Sequence, residues 1–160
     1  MKNSKRMTIA LVAILAVLTL SATACKSSGT AVTSRGQVLN LDIEHPSDLP
    51  EKGEDNLDVS LGNAGVNNIQ EVLLEVELPP QLIVLDQTAD RGVETFHTPG
   101  SNLYRFTFGE LQPTETSTVR FKVRTAFGTL RETGSVRATA WQENLPGDKL
   151  VETAVIKLRE

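Results

Sequence analysis

From Val38 to the end of the chain, apolar and polar residues alternate in short runs, and Pro, Gly or Asn closes most of them. A period of two puts successive side chains on opposite faces of an extended strand, and no stretch here repeats at the 3.6-residue spacing of an amphipathic helix. Leu39, Leu41 and Ile43 share a face, as do Leu57, Val59 and Leu61. Val72, Leu74, Val76 and Leu78 form another such set, followed by Val119, Phe121 and Val123, and by Val136, Ala138 and Ala140. These sets are the candidate core. Leu82–Leu85, Val93–Thr98, Leu103–Phe108 and Val151–Leu158 bring the count to about nine short strands.

The turn residues agree. Pro46, Pro50 and Gly53 mark a loop, Asn63-Ala64-Gly65 marks a turn, and Pro79-Pro80 ends a strand, because proline cannot donate to a ladder. Pro99-Gly100 presets a type II turn between two strands and so predicts a hairpin. Pro146-Gly147 marks a second turn. Short strands with regular turns predict an all-β sandwich or barrel, here of about seven to nine strands. Roughly 120 residues suffice to bury one core without disulfides or metal. Aromatics are 4% of the chain, so aliphatic side chains must fill most of that core, and the single cysteine leaves no intrachain disulfide. The formal charge of −4 does not supply the basic face that nucleic acid requires.

The first 24 residues follow a different pattern. Lys2, Lys5 and Arg6 precede the apolar run Met7–Leu20, broken only by Thr8 and Thr19, and Ser21-Ala22-Thr23-Ala24 follow. That order is a secretory signal, and its 14-residue run is shorter than the ~20 residues of a spanning helix. An uncleaved anchor helix is the other reading; the small residues before Cys25 oppose it. Leu20-Ser21-Ala22-Thr23-Ala24-Cys25 resembles the lipobox of bacterial lipoprotein precursors, with Ala22 in place of the commonest Leu. The resemblance implies cleavage before Cys25 and diacylglycerol on its sulfur, usually with an acyl group on its amine. Two or more acyl chains anchor stably, whereas one is marginal. The expected location is the bacterial cell envelope, outside the cytoplasm. Lys26, where Asp would imply inner-membrane retention, points to the periplasmic face of the outer membrane in a double-membraned cell. In a single-membraned cell the site is the outer leaflet of the cell membrane. Lys26–Gln37 (KSSGTAVTSRGQ) reads as a flexible tether. The chain thus divides into a signal peptide (1–24), a lipidated cysteine with its tether (25–37) and a β-sandwich (38–160). Without Lys2, Lys5 and Arg6, 13 basic residues stand against 20 acidic ones, so acyl chains rather than charge must hold the domain to an anionic bilayer.

Asn63-Ala64-Gly65, Leu78-Pro79-Pro80-Gln81-Leu82 and Phe108-Gly109-Glu110-Leu111-Gln112-Pro113-Thr114-Glu115-Thr116 occur in that order. Together they resemble the immunoglobulin-like repeat domains of bacterial surface proteins, including the cell-adhesion-related domain of bacteria. The likeness spans roughly Leu57–Leu158 and implies an Ig-like β-sandwich. Thr114 stands where those families usually carry glycine. The motifs are turns and strand ends, so they bear on fold far more than on activity.

Glu71, Glu75 and Glu77 share a face of one strand, and Arg120, Lys122 and Arg124 share a face of another. If the strands are neighbours in one sheet, opposite charges form a solvent-facing ladder; the rival is a basic stripe for an acidic partner. No Gly-x-Ser-x-Gly elbow, phosphate-cradling glycine loop or zinc-ligand spacing occurs, and Cys25 is assigned to lipid. His45 and His97 are the histidines available to a hydrolase. We therefore expect no enzyme activity, no cofactor and no metal site. The carboxylates of Glu51, Glu54, Asp55 and Asp58 read as a solvated acidic loop rather than a calcium loop, and Asp86 and Asp90 read the same way. The candidate binding residues are Arg91, Phe96 and His97, in the irregular stretch Asp86–Asn102, and Trp141. By parity Trp141 lies with Arg137 and Thr139 on a solvent face, where it would suit a sugar ring or a protein partner; because tryptophan is usually well buried, the preferred reading is a strand-end tryptophan that covers the core edge. The expected function is a non-catalytic envelope module that binds another protein or supports an envelope assembly. The alternative is a binding module for glycan or a small envelope ligand.

Overall fold

The structure is a computed structural model and describes residues 24–90, 92–126 and 132–159. The expected signal segment up to residue 23, and Arg91, lie outside the described residues. The strands are β1 (Ala24–Val32), β2 (Val38–Pro46), β3 (Asp48–Pro50), β4 (Glu54–Asn63), β5 (Ile69–Glu77) and β6 (Leu82–Ala89). After them come β7 (Val93–His97), β8 (Leu103–Leu111), β9 (Thr116–Thr125), β10 (Thr133–Gln142) and β11 (Leu150–Arg159). A five-stranded sheet has the order β1-β2-β4-β9-β6, and a six-stranded sheet the order β3-β11-β10-β5-β8-β7. Every pairing is antiparallel except β3 with β11. The sheets face each other as an all-β sandwich.

Alternation chooses the inner faces as expected. Leu39, Leu41, Ile43, Leu57, Val59, Leu61, Val72, Leu74, Val76, Val119, Phe121, Val123, Val136, Ala138 and Ala140 are all buried. Aliphatic side chains fill most of the space between the sheets. Phe121 on β9 sets its ring edge against Tyr104 and Phe106 of β8 in the other sheet, with centroids 5.1 and 6.0 Å apart. β5 departs from strict alternation at Glu71, whose φ of 54° turns Gln70 and Glu71 outward together while Ile69 and Val72 point in.

The hairpin forms between β7 and β8. Ser101 N–H donates to the Thr98 carbonyl, and Gly100 has a φ of 81°, the positive value that a type II turn needs after Pro99. Pro146-Gly147 also turns, closed by Asp148 N–H on the Leu145 carbonyl.

Three expectations are corrected. β5 and β9 lie in different sheets, so their charges do not form one ladder. Three of them pair with an opposite charge in their own sheet. On β9, Arg120 binds Asp58 (Nε–Oδ1 2.8 Å) and Lys122 binds Glu54 (2.8 Å), both on β4, while β5 Glu75 takes Arg105 of β8 (2.6 Å). Second, the Ser/Thr/Gly-rich segment read as a tether is strand β1 from Ala24 to Val32, in unbroken register with β2. Its small residues lack an apolar period because the neighbouring strand supplies the apolar face. Third, Asp86–Asn102 is mostly regular, shared between β6, β7 and the hairpin turn, with a bulge between Val84 and Asp86.

Thr114 gives a prediction. It is the third residue of a turn closed by Glu115 N–H on the Gln112 carbonyl, follows Pro113, and has a φ of 66°. A β-branched residue there stores roughly 1–3 kcal/mol of strain. Glycine removes it and returns part as unfolded-chain entropy. Thr114→Gly is expected to stabilise the domain by about 1 kcal/mol, read as a higher urea midpoint at unchanged m-value. A lower midpoint would show that the backbone there carries no strain.

Candidate functional site

The outer face of the five-stranded sheet is a lattice of paired charge. Arg120 with Asp58, Lys122 with Glu54, and Lys26 with Asp42 (3.0 Å) bridge neighbouring strands. The Lys122 hydrogen bond holds the Glu54 carboxyl below its usual range, and Glu54 in turn raises Lys122. Asp58 raises Arg120 in the same way. These groups are mutually satisfied and exposed, so they contribute solubility and register more than stability. The supposed acidic loop is thereby drawn into the sheet through Glu54 and Asp58. No group of three or more His, Cys, Asp or Glu side chains suited to a metal ion occurs among the described residues.

The outer face of the six-stranded sheet is different. Rows of cross-strand partners run Phe96, Arg105, Glu75, Thr139, Val151, and beside them Glu94, Thr107, Leu73, Trp141. Phe96, Val151 and Val155 are exposed by 56%, 41% and 54%. Trp141 is half-buried on this face, while Ala140 and Gln142 beside it point inward. Its indole is therefore not a lid on the core edge. Lys149 Nζ lies over the ring at 4.8 Å, a cation–π contact. A shallow groove of about 240 Å³ is lined by Trp141, Leu73, Glu75, Arg105 and Phe106.

The four candidate residues do not converge. Phe96 and Trp141 share a face but stand in different rows, with β8 and β5 between their strands. His97 points the other way: its ring stacks on Tyr104 at 4.1 Å, and its Nε2 lies 2.9 Å from the Ser101 carbonyl. His45 is buried, with Nδ1 2.9 Å from the Pro46 carbonyl. Each imidazole's hydrogen bond thus goes to a backbone carbonyl rather than to a serine or a carboxylate. Burial raises the Tyr104 phenol above its ordinary value, an effect of core packing.

Two buried amides were not legible as such in the sequence. Asn63 is satisfied on every side. Gln142 is buried with Nε2 on the Gln70 carbonyl (3.3 Å) and Oε1 unpartnered in the protein.

No family model matches the chain, and no curated protein matches it. Solved structures do. The chain is similar to a chain of the RrgA Jo.In complex, with a TM-score of 0.55, 12% identity, and 82% of each chain covered. It is also similar to AvmM, which catalyses macrocyclization in alchivemycin A biosynthesis, with a TM-score of 0.50, 13% identity, and 78% of this chain and 89% of that one covered. A non-cellulosomal cohesin from Archaeoglobus fulgidus matches at a TM-score of 0.46 and 15% identity, over 71% of this chain and 86% of its own. Identities this low establish a shared fold and no shared activity. One such sandwich belongs to a catalyst, so the fold alone decides nothing about chemistry. What the comparisons establish is the fold, a two-sheet β-sandwich.

Proposed function

We propose that this chain is a lipid-anchored cell-envelope protein whose Ig-like sandwich is a non-catalytic module for protein–protein interaction. The observation that carries the module is Trp141 standing on the outer face of the six-stranded sheet, among Arg105, Glu75 and partly exposed apolar side chains. Tryptophan and arginine beside solvent-facing apolar groups are the composition of interface anchors. The lipid anchor is supported by the sequence: one cysteine, placed directly after an apolar run and four small residues. A second reading, a saccharide ligand, is favoured by the groove beside Trp141, where an indole adjoins a guanidinium–carboxylate pair.

Crosslinking in living cells, followed by affinity capture and mass spectrometry, tests the module. We expect an envelope protein in stoichiometric amount with the wild type, less with Trp141→Ala, and none with Cys25→Ser, which cannot be lipidated. Capture of no partner by any form would remove the interaction reading and leave the saccharide. Radiolabelled palmitate separates the two halves of the proposal: absence of label in the wild type would sink the anchor without touching the module.

A further inference from the structure

We infer that the sandwich stands directly on the lipid headgroups, seated on the end that holds Cys25, with Trp141 carried at the opposite end, clear of the bilayer. The inference rests on the lipid-anchor reading, for which it sets the attitude of the domain; it does not depend on what Trp141 binds. A flexible tether would leave that attitude free. Here the residues that would form one are strand. Cleavage before Cys25 removes only Ala24 from β1, and Cys25–Val32 keep their β2 partners from His45 back to Val38. Side chains fasten the strand as well. Lys26 pairs with Asp42 at 3.0 Å, and Thr30 Oγ1 donates to Asn40 Oδ1 at 2.8 Å, both on β2. Ser27 Oγ donates to the Glu152 carboxylate and, at 3.1 Å, to the Thr153 carbonyl, both on β11. Both sheets therefore hold β1, and an acyl chain on the Cys25 sulfur hangs from a fixed point of the sandwich.

The topology says which end that point belongs to. Ala24 pairs with Pro46, and β3 follows at once, with Asp48 beside Lys157 of β11. Lys157 in turn pairs with Thr133, the first residue of β10. The start of β1, the turn after β3 at Glu51 and the start of β10 thus share one end. Trp141 lies eight residues along β10 from Thr133, roughly 27 Å at the ~3.4 Å rise of an antiparallel strand.

Charge separates the two ends in the same sense. The turns and strand ends at the far end carry Glu71, Asp90, Glu110, Glu115, Glu143 and Asp148, and the bases described among them are Arg35 and Lys149. At the near end the described bases match the acids nearly one for one, with Lys26 on Asp42, Lys122 on Glu54 and Arg159 on Asp48. An anionic headgroup layer repels the first set and is nearly indifferent to the second. Seated on the Cys25 end, the sandwich keeps its acidic turns well beyond the ~8 Å over which physiological salt lets that repulsion act. The opposite attitude would press them into it.

The test uses the full chain, made and lipidated in cells, extracted in mild detergent and added to preformed vesicles of phosphatidylcholine and phosphatidylglycerol with a dansyl-labelled headgroup lipid. The chain has a single tryptophan, so Trp141 is its own donor for energy transfer to the headgroups. A second form, Glu51→Trp with Trp141→Phe, moves the donor to the near end. We expect at least fivefold more transfer from the second form than from the first. A twenty-residue Gly/Ser linker inserted after Cys25, with a reach of roughly 25 Å, is expected to narrow that ratio below twofold. Hydrogen exchange on the vesicle-bound native chain needs no variant: the β1 amides that pair with β2 are expected to exchange at least tenfold more slowly than an unstructured peptide. Equal transfer from the two forms, more transfer from Trp141, a ratio that survives the linker, or β1 amides as fast as an unstructured peptide would each overturn the seating. A chain that carries no acyl group and washes off the vesicles would remove the anchor and the seating together. A chain that stays on the vesicles with equal transfer would lose the seating and leave the anchor standing.

Discussion

Phe121→Ala is expected to remove about 4 kcal/mol of stability. Burying a phenylalanine and then leaving its cavity costs roughly 3–5 kcal/mol, and aromatic edge contacts add about 0.5–1.5 kcal/mol per pair. Phe121 is fully buried on β9, between β4 and β6 in the five-stranded sheet, and touches two rings of the opposite sheet. In a chain with so few aromatics the neighbouring aliphatic side chains cannot refill that space, so collapse is limited. Domains of this size have roughly 5–15 kcal/mol in total, so the variant keeps a folded state only if the wild type sits above the low end. Urea unfolding measures the loss. A second readout locates it: the Tyr104 phenol, raised by burial, should titrate nearer its ordinary value once the cavity admits water. Phe121→Leu should lose under half as much and leave Tyr104 raised. A loss below about 1 kcal/mol for Phe121→Ala would mean that the two sheets are not held together through this ring.

The faces of this sandwich were legible and its neighbours were not, for one reason. Period-two alternation states which side of a strand is buried; it does not state which strand lies beside it. Hence every predicted core set is inward, yet the acidic face of β5 and the basic face of β9 belong to different sheets. Glu75, Arg120 and Lys122 instead pair with Arg105, Asp58 and Glu54 on the strands that do lie beside them. β1 escaped for the converse reason. An edge strand that leans small residues on β11 needs no apolar alternation, so Ser27 and Gly29 look like linker until the sheet is seen. Parity did place Trp141 on the side of Arg137 and Thr139. The same parity puts Phe96 and His97, adjacent in the strand read at Val93–Thr98, on opposite faces of β7, so they do not act as one site.

The Asn63-Ala64-Gly65 turn shows what the motifs of this chain report. Asn63 is 2% exposed at the end of β4. Its Nδ2 donates to the carbonyls of Asn67 (2.8 Å) and Leu111 (2.9 Å), and its Oδ1 accepts from Gly65 N–H (2.9 Å). Its backbone N–H donates to the Glu115 carbonyl, and its carbonyl accepts from Thr114 N–H. One residue thus ties the β4–β5 turn, which crosses from the five-stranded to the six-stranded sheet, to the end of β8 through its side chain and to the β8–β9 turn through its backbone. Asn63→Ala removes three side-chain hydrogen bonds, at roughly 1 kcal/mol each, and leaves the carbonyl of buried Leu111 unpaired, so we expect a loss of about 3 kcal/mol. Leucine, of similar size, should not rescue it, because the buried Leu111 carbonyl stays unsatisfied. Asn63→Asp is the sharper probe. Its carboxylate can still accept from Gly65, but it cannot donate and stands against two carbonyl oxygens. Burial and those oxygens favour the protonated acid, so the folded pKa of the new group lies above the unfolded one. Such a group destabilises the fold above its folded pKa and is relieved as pH falls below the unfolded value. The gap between Asn63→Asp and the wild type should therefore narrow from neutral pH toward about pH 4 in urea melts, while that of Asn63→Ala stays constant. A gap that widens on acidification would contradict the donor role assigned to this side chain. Two of the three sequence segments that pointed to an Ig-like domain meet at this residue, which is why they announced a fold and were silent about a ligand.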